Sequence, residues 1–205
     1  AEELRKELFQ LGEQMLAQFP QVPEALHVVA GMYADLQRVT EAERIWQDCI
    51  RLSPQHVGPY VGLATAAMEQ GKDEEAVAIL RRGLSAGGAS PELDHQLAAA
   101  LTKLGRLDEA AEVLQRGLKA FPACAENWLQ LGQIQIQLSK FAEAEASLRK
   151  AIDTGTDDGS VYFSLATACA RQGKQDEAAK YREMFSQRKA AQESAGDTPF
   201  QVRYD

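Results

Sequence analysis

The 205-residue chain sets 22 lysines and arginines against 30 aspartates and glutamates, for a formal net charge of −8, and is 45% hydrophobic and 25% charged. This is the composition of a soluble folded protein with enough chain to bury a core. It excludes a membrane span, since no apolar run approaches the ~20 residues one needs, and it argues against nucleic-acid binding, which relies on Lys and Arg neutralising phosphates. Three cysteines in a chain this long are not a disulfide framework. They point to a reducing compartment such as the cytoplasm, although the compartment stays open. Ala1 is not an initiator Met, and residues 1–6 lack a secretory n-region and apolar stretch. A processed product or an excised fragment is expected.

Residues 1–22 open with a helical stripe of Leu4, Leu8, Leu11 and Met15, and Phe19-Pro20 parallels Phe121-Pro122 further on. This segment is predicted to be one extra helix, the second half of a partial preceding repeat acting as an N-terminal cap. Its missing mate predicts exposed apolar surface, to be covered by upstream chain or by a second copy.

From Pro23 the chain repeats itself every 34 residues. Trp128, Leu131, Gly132 and Ala144 align backwards with Asp94, Leu97, Ala98 and Ala110, then with Tyr60, Leu63, Ala64 and Ala76, then with Leu26, Val29, Ala30 and Ala42. Forwards they align with Tyr162, Leu165, Ala166 and Ala178. Five units fit without insertion or deletion: 23–56, 57–90, 91–124, 125–158 and 159–192. Each reads as two helices. The first carries apolar residues at helical spacing, as at Tyr60, Leu63 and Ala67, with Asp94 breaking the pattern in the third unit. A turn follows at Gly71, Gly105 and Gly173, with Gln37 and Ser139 in the other two units. Next comes a basic residue in every unit (Arg38, Lys72, Arg106, Lys140, Lys174), placed to meet the negative end of the first helix. Three residues later every unit has Glu (Glu41, Glu75, Glu109, Glu143, Glu177), in the first turn of the second helix. Small residues at one place in each helix let the two backbones approach, and residues such as Leu80, Leu114 and Leu148 fill the gaps. After residue 192 the pattern stops. Residues 193–205 are predicted to be an extended tail or linker, with Phe200 to Tyr204 alternating apolar and polar.

The period, the helix-turn-helix unit, the W-x-x-L-G start at Trp128, the alanine heading each second helix and the closing Pro122 together resemble the tetratricopeptide repeat (TPR). The resemblance covers residues 23–192. Departures are Asp94 where an aromatic is usual, Gln135 where Tyr is usual, and Thr156 and Ala190 where Pro is usual. It implies an all-α fold: a right-handed α-α solenoid of five 34-residue TPR helix pairs, preceded by one extra helix.

The resemblance also implies that first helices line a concave groove holding a peptide or an extended segment of a partner. Carried onto this chain, the groove positions in the first unit are Glu24, His27, Val28, Gly31 and Asp35. They are Val61, Gly62, Thr65 and Glu69 in the second, and Glu92, His95, Gln96, Ala99 and Lys103 in the third. The fourth supplies Glu126, Leu129, Gln130, Gln133 and Gln137, and the fifth Phe163, Ser164, Thr167 and Arg171. The cationic clamp by which chaperone-binding relatives grip a C-terminal carboxylate is not reproduced: His27, Gly31, Gly62, Glu92 and Gln96 stand in its places. Gln96, Gln130, Gln133 and Gln137 offer amides that donate and accept, suited to a peptide backbone. Acidic groove residues outnumber basic ones, so a neutral to mildly basic peptide is the expected partner.

No catalytic, cofactor or metal site is predicted. His27 and His95 lie two repeats apart, His56 falls in a turn, and no His-x3-His, Cys-x2-Cys or phosphate-cradling glycine loop occurs. Cys49 and Cys169 read as buried small hydrophobes, and Cys124 lies in an inter-repeat turn. The function these features support is a protein-protein interaction scaffold rather than an enzyme. The alternatives are a non-catalytic recruitment or regulatory segment of a larger enzyme, and a self-assembly module working through the N-terminal helix or the C-terminal tail.

Overall fold

A computed structural model describes residues 2–156 and 158–196, with side chains up to residue 191. Among the described residues there are eleven helices and no strand. The expected extended segment at Phe200 to Tyr204 lies outside them. The chain divides into two compact units, Ala1–Phe121 and Pro122–Asp205.

The first unit holds α1 (Glu2–Gln18), α2 (Pro23–Asp35), α3 (Val39–Leu52), α4 (Val57–Glu69), α5 (Asp73–Gly87), α6 (Pro91–Lys103) and α7 (Leu107–Ala120). The second holds α8 (Ala125–Gln137), α9 (Phe141–Asp153), α10 (Ser160–Arg171) and α11 (Gln175–Gly196). Helix α11 continues to Gly196, so residues 193–196 are helical where an extended tail was expected. Ala178 and Tyr181 pack its first half on the core, and Arg188 and Lys189 beyond them are exposed.

Every pair turns by the same device. In the second repeat Gly71 takes φ +74°, the Gly71 N–H donates to Met68 O and the Lys72 N–H donates to Ala67 O at 2.8 Å. These are the two bonds of a Schellman ending, which satisfy carbonyls the helix leaves open. Gln37 and Ser139 hold the same left-handed conformation at φ 64° and 59° and keep both bonds. The basic residue that follows also starts the next helix: Arg38, Lys72, Arg106 and Lys140 are its N-cap residues. The Arg38 and Arg106 side chains then turn onto Glu41 and Glu109, at 2.8 and 2.6 Å.

The small residues pack as the repeat demands. Ala42, Ala76, Ala110, Ala144 and Ala178 are fully buried, as are Ala30, Ala64 and Ala98 on the facing helices. A Cβ added at Gly132 would strike the Leu148 side chain. Where Gln135 replaces an aromatic, Ser147 donates to its side-chain oxygen at 2.7 Å, so the buried amide is not left unsatisfied.

Helix α1 differs from its expected pattern. Leu4 and Leu11 are 69% and 49% exposed, whereas Phe9, Met15 and Leu16 pack on the core of α2 and α3 around buried Gly12. Gly12 explains the shift, because it admits the Tyr33 ring against the α1 backbone. The packed stripe is therefore rotated away from Leu4 and Leu11.

Candidate functional site

Within the first unit the first helices α2, α4 and α6 are successive neighbours, and within the second α8 neighbours α10. None of the thirteen leading groove candidates is buried. In the first unit these are His27, Asp35, Thr65, Glu69, His95, Gln96 and Lys103. In the second they are Gln130, Gln133, Gln137, Phe163, Thr167 and Arg171. Leu129 and Ser164 behave differently, at 8% and 6% exposed. Leu129 is drawn into a core cluster with Leu148, Val161 and Leu165, wedged toward the following first helix. Phe163, its equivalent one repeat later, is 59% exposed and meets Phe185 of α11, ring centres 5.7 Å apart.

A concavity on this face lies between α2 and α4, a cleft of about 420 Å³. Asp35, Thr65 and Glu69 stand around it with Gly31 and Gly62, and Trp46 of α3 reaches it from below. One glycine leaves the opening free and the other admits the indole. Gly31 has free space where a side chain would be, and Gly62 lies so close to the Trp46 indole that a Cβ would collide with it. The Trp46 Nε1–H donates to no protein group. Two carboxylates at the rim give the cleft negative charge. Elsewhere the candidates are partly committed. Lys103 Nζ donates to Met68 O at 3.2 Å and reaches Asp73 at 3.5 Å, and the Thr167 hydroxyl donates to Phe163 O at 3.0 Å.

The structure also makes a contact that the linear sequence did not suggest. His27 and His56 meet edge to face, ring centres 5.2 Å apart, and Cys49 Sγ lies 3.4 Å from His56 Nδ1. Gly58 admits the His27 ring; a Cβ there would fall 2.6 Å from it. Burial, helped by the neighbouring His56, lowers the pKa of His27, and burial pushes the Cys49 thiol up to about 11. Cys49 is fully buried, and the two imidazoles lie half-buried beside it.

A second cluster tests for metal chemistry. Glu145, Cys169 and Glu177 place one ligand atom each within 4.8 Å of one another. Cations of the protein already hold the carboxylates: Lys174 and Arg149 each lie 2.7 Å from Glu145, and Arg149 lies 2.8 Å from Glu177. Burial also pushes the Cys169 thiol up, away from the thiolate a metal requires. The donor set fits a charge-paired core better than an ion.

Tandem helix pairs packed on one another within each unit, with repeated Schellman turns, define a helical-repeat protein. Tetratricopeptide-repeat family models match residues 33–92 and 101–169. The chain belongs to the tetratricopeptide-repeat family, whose fold serves in general as a protein-interaction scaffold. No curated protein matches it by sequence. Solved structures share the fold at low identity. MamA from Desulfovibrio magneticus RS-1 aligns with TM-score 0.70 at 18% identity, over 83% of this chain and 96% of MamA. PilF of Pseudomonas aeruginosa gives 0.71 at 17%, over 80% and 75%. YrrB, described as a TPR protein with an unusual peptide-binding site, gives 0.66 at 15%, over 86% and 91%. No helix among the described residues is long and apolar enough to cross a membrane.

Proposed function

We propose that this chain is a peptide-binding scaffold that receives an extended, neutral to mildly basic segment of a partner protein on its first-helix faces. The observation that carries this reading is the cleft between α2 and α4. It gathers Asp35, Thr65 and Glu69, three residues chosen by their place in the repeat, around one opening. The rim carboxylates favour a basic side chain, and the unpaired Trp46 Nε1–H offers a donor to a ligand carbonyl. In the second unit Gln130, Gln133 and Gln137 are the groups to hold a peptide backbone, and Phe163 offers an apolar contact. A carboxylate clamp for chaperone tails is not favoured, since Lys103 is already engaged within its own unit.

The test is peptide selection followed by fluorescence anisotropy. Selected peptides should be neutral or basic, and Thr65→Trp, which fills the cleft, should weaken them at least tenfold without loss of helicity. The Gln130/Gln133/Gln137 triple alanine variant should lose affinity for peptides that engage the second unit. Undiminished binding by both variants would reject the groove assignment. Self-association is a second reading, favoured by Leu4 and Leu11, exposed on α1. A constant monomer mass in sedimentation over a wide concentration range would reject it.

A further inference from the structure

The second and third repeats treat one position in opposite ways. In the second, Tyr60 is 1% exposed, its hydroxyl donates to Pro54 O at 2.8 Å, and its ring lies against Gly83 with the Arg82 guanidinium 5.4 Å from the ring centre. One period later Asp94 replaces the tyrosine, Gly117 the glycine, Arg116 the arginine and Gly88 the proline. The glycine and the arginine persist while the ring they attended is gone. A cavity of about 660 Å³ opens there, lined by α5, α6 and α7. None of its lining residues belongs to the candidate peptide groove.

Asp94 is 3% exposed and faces this cavity. Its side chain makes no hydrogen bond or ion pair; Arg116 attracts it only at longer range. Gly117 makes room for the carboxylate, since a Cβ there would strike it. Burial raises its pKa and Arg116 offsets this only in part, as expected of a carboxylate without a partner. The lining carries three carboxylates (Asp94, Glu109, Glu112) against two guanidiniums (Arg81, Arg116). Arg81 is spent on Glu109 at 2.7 Å. Ser85 donates its proton to Arg81 O at 2.9 Å, which leaves its oxygen lone pairs as acceptors. Leu84, Leu97 and Val113 supply an apolar wall.

We propose that this cavity is a second binding site, separate from the groove, that takes an alkylammonium group such as the end of a lysine side chain, with Asp94 as its counter-ion. The ammonium donates to Asp94 and Ser85, and its methylene stem occupies the space a tyrosine ring fills one repeat earlier. Glu109 is already shared by Arg81 and Arg106, so the positive charge of the ligand offsets the negative charge of Asp94. The cavity size is within the usual range of ligand sites, ≈ 300–1,000 Å³.

The experiment titrates the full 205-residue chain with n-butylammonium and with the N-acetylated, C-amidated tripeptide Gly-Lys-Gly, following the amide resonances of Ser85, Gly88 and Gly117. Saturable shifts with both probes support a site open to free amines as well as to lysine. Shifts with the tripeptide alone support a site that reads lysine in a chain. Asp94→Asn should weaken either probe at least tenfold. Asp94→Tyr should abolish binding while helicity and melting temperature hold or rise, so that loss of the site is distinguishable from loss of the fold. Three results would each overturn the proposal: no saturable shift with either probe, equal affinity in Asp94→Asn, or equally tight binding of neutral 1-butanol or p-cresol. The last would show that shape alone governs the slot.

Discussion

Two buried carboxylates, one in each unit, show how differently the same burial is used. Asp94 and Glu145 are both 3% exposed. Glu145 accepts from Lys174 and from Gln172, each at 2.7 Å, and Arg149 reaches its other oxygen. Burial alone would raise its pKa, but these donors outweigh it and hold the carboxyl below its ordinary value. Asp94 has no such donors, and burial leaves its pKa raised. The difference separates a charge that ties helices together from one that waits for a partner. Breaking a buried pair exposes the cost of the remaining charge. Removing an unpaired charge relieves a cost instead.

The largest expected effect follows on the paired side. Glu145→Ala removes the acceptor that Lys174 and Arg149 share and leaves two cations close together. Because those cations are 39% and 48% exposed they can rehydrate, so the loss should fall below that of a fully buried pair. We expect about 2–3 kcal/mol by urea denaturation. An effect under about 0.5 kcal/mol would place Glu145 with ordinary surface pairs.

Next comes the frame that both carboxylates inhabit. Ala110→Leu inserts volume at a fully buried contact between α6 and α7 and should cost roughly 1–3 kcal/mol through overpacking, read in the same denaturation experiment. This frame is what the sequence displayed most openly. The period, the Schellman glycines and the buried alanines are local features, and each recurs, so agreement among units reinforces each one. The site was less visible. His27 meets His56 because the inter-repeat turn folds back on α2, a distance that residue spacing does not encode. Leu129 looked like a groove residue until the following helix covered it. Asp94 stood out in the sequence only as a missing aromatic. Its meaning depends on Gly117 and Arg116, which keep the positions of Gly83 and Arg82 around a ring that is not there. That signal was available from comparing the chain with itself at two positions rather than one.

A smaller effect of opposite sign is expected on the unpaired side. Asp94→Tyr restores the residue type of Tyr60 in a slot that keeps its glycine and its arginine. It fills the cavity and removes the buried charge, and should stabilise by about 1 kcal/mol, as cavity-filling changes commonly do. A loss of stability would show that the third repeat has closed around Asp94 and no longer offers the space of the second.

The smallest and sharpest comparison is the pH dependence of the two conservative variants, Glu145→Gln and Asp94→Asn, each measured against the parent chain. The folded-state pKa of Glu145 lies below its unfolded value of 4.5, so its stabilisation is complete above that value and is lost as pH falls through the folded pKa. Asp94 has a folded-state pKa above its unfolded 3.8, so the folded protein binds the proton more tightly. Its penalty is absent below 3.8, grows as pH rises through the folded pKa, and is constant above it. On acidification from neutral pH, Glu145→Gln should therefore approach the parent from below and Asp94→Asn from above. His27, whose lowered pKa costs stability as pH falls below 6.5, is present in all three proteins and cancels in the differences. Chemical denaturation at pH 7, 5, 4 and 3 reads both curves. If the two variants kept constant offsets across this range, the contrast between a partnered and an unpartnered carboxylate would have no electrostatic basis.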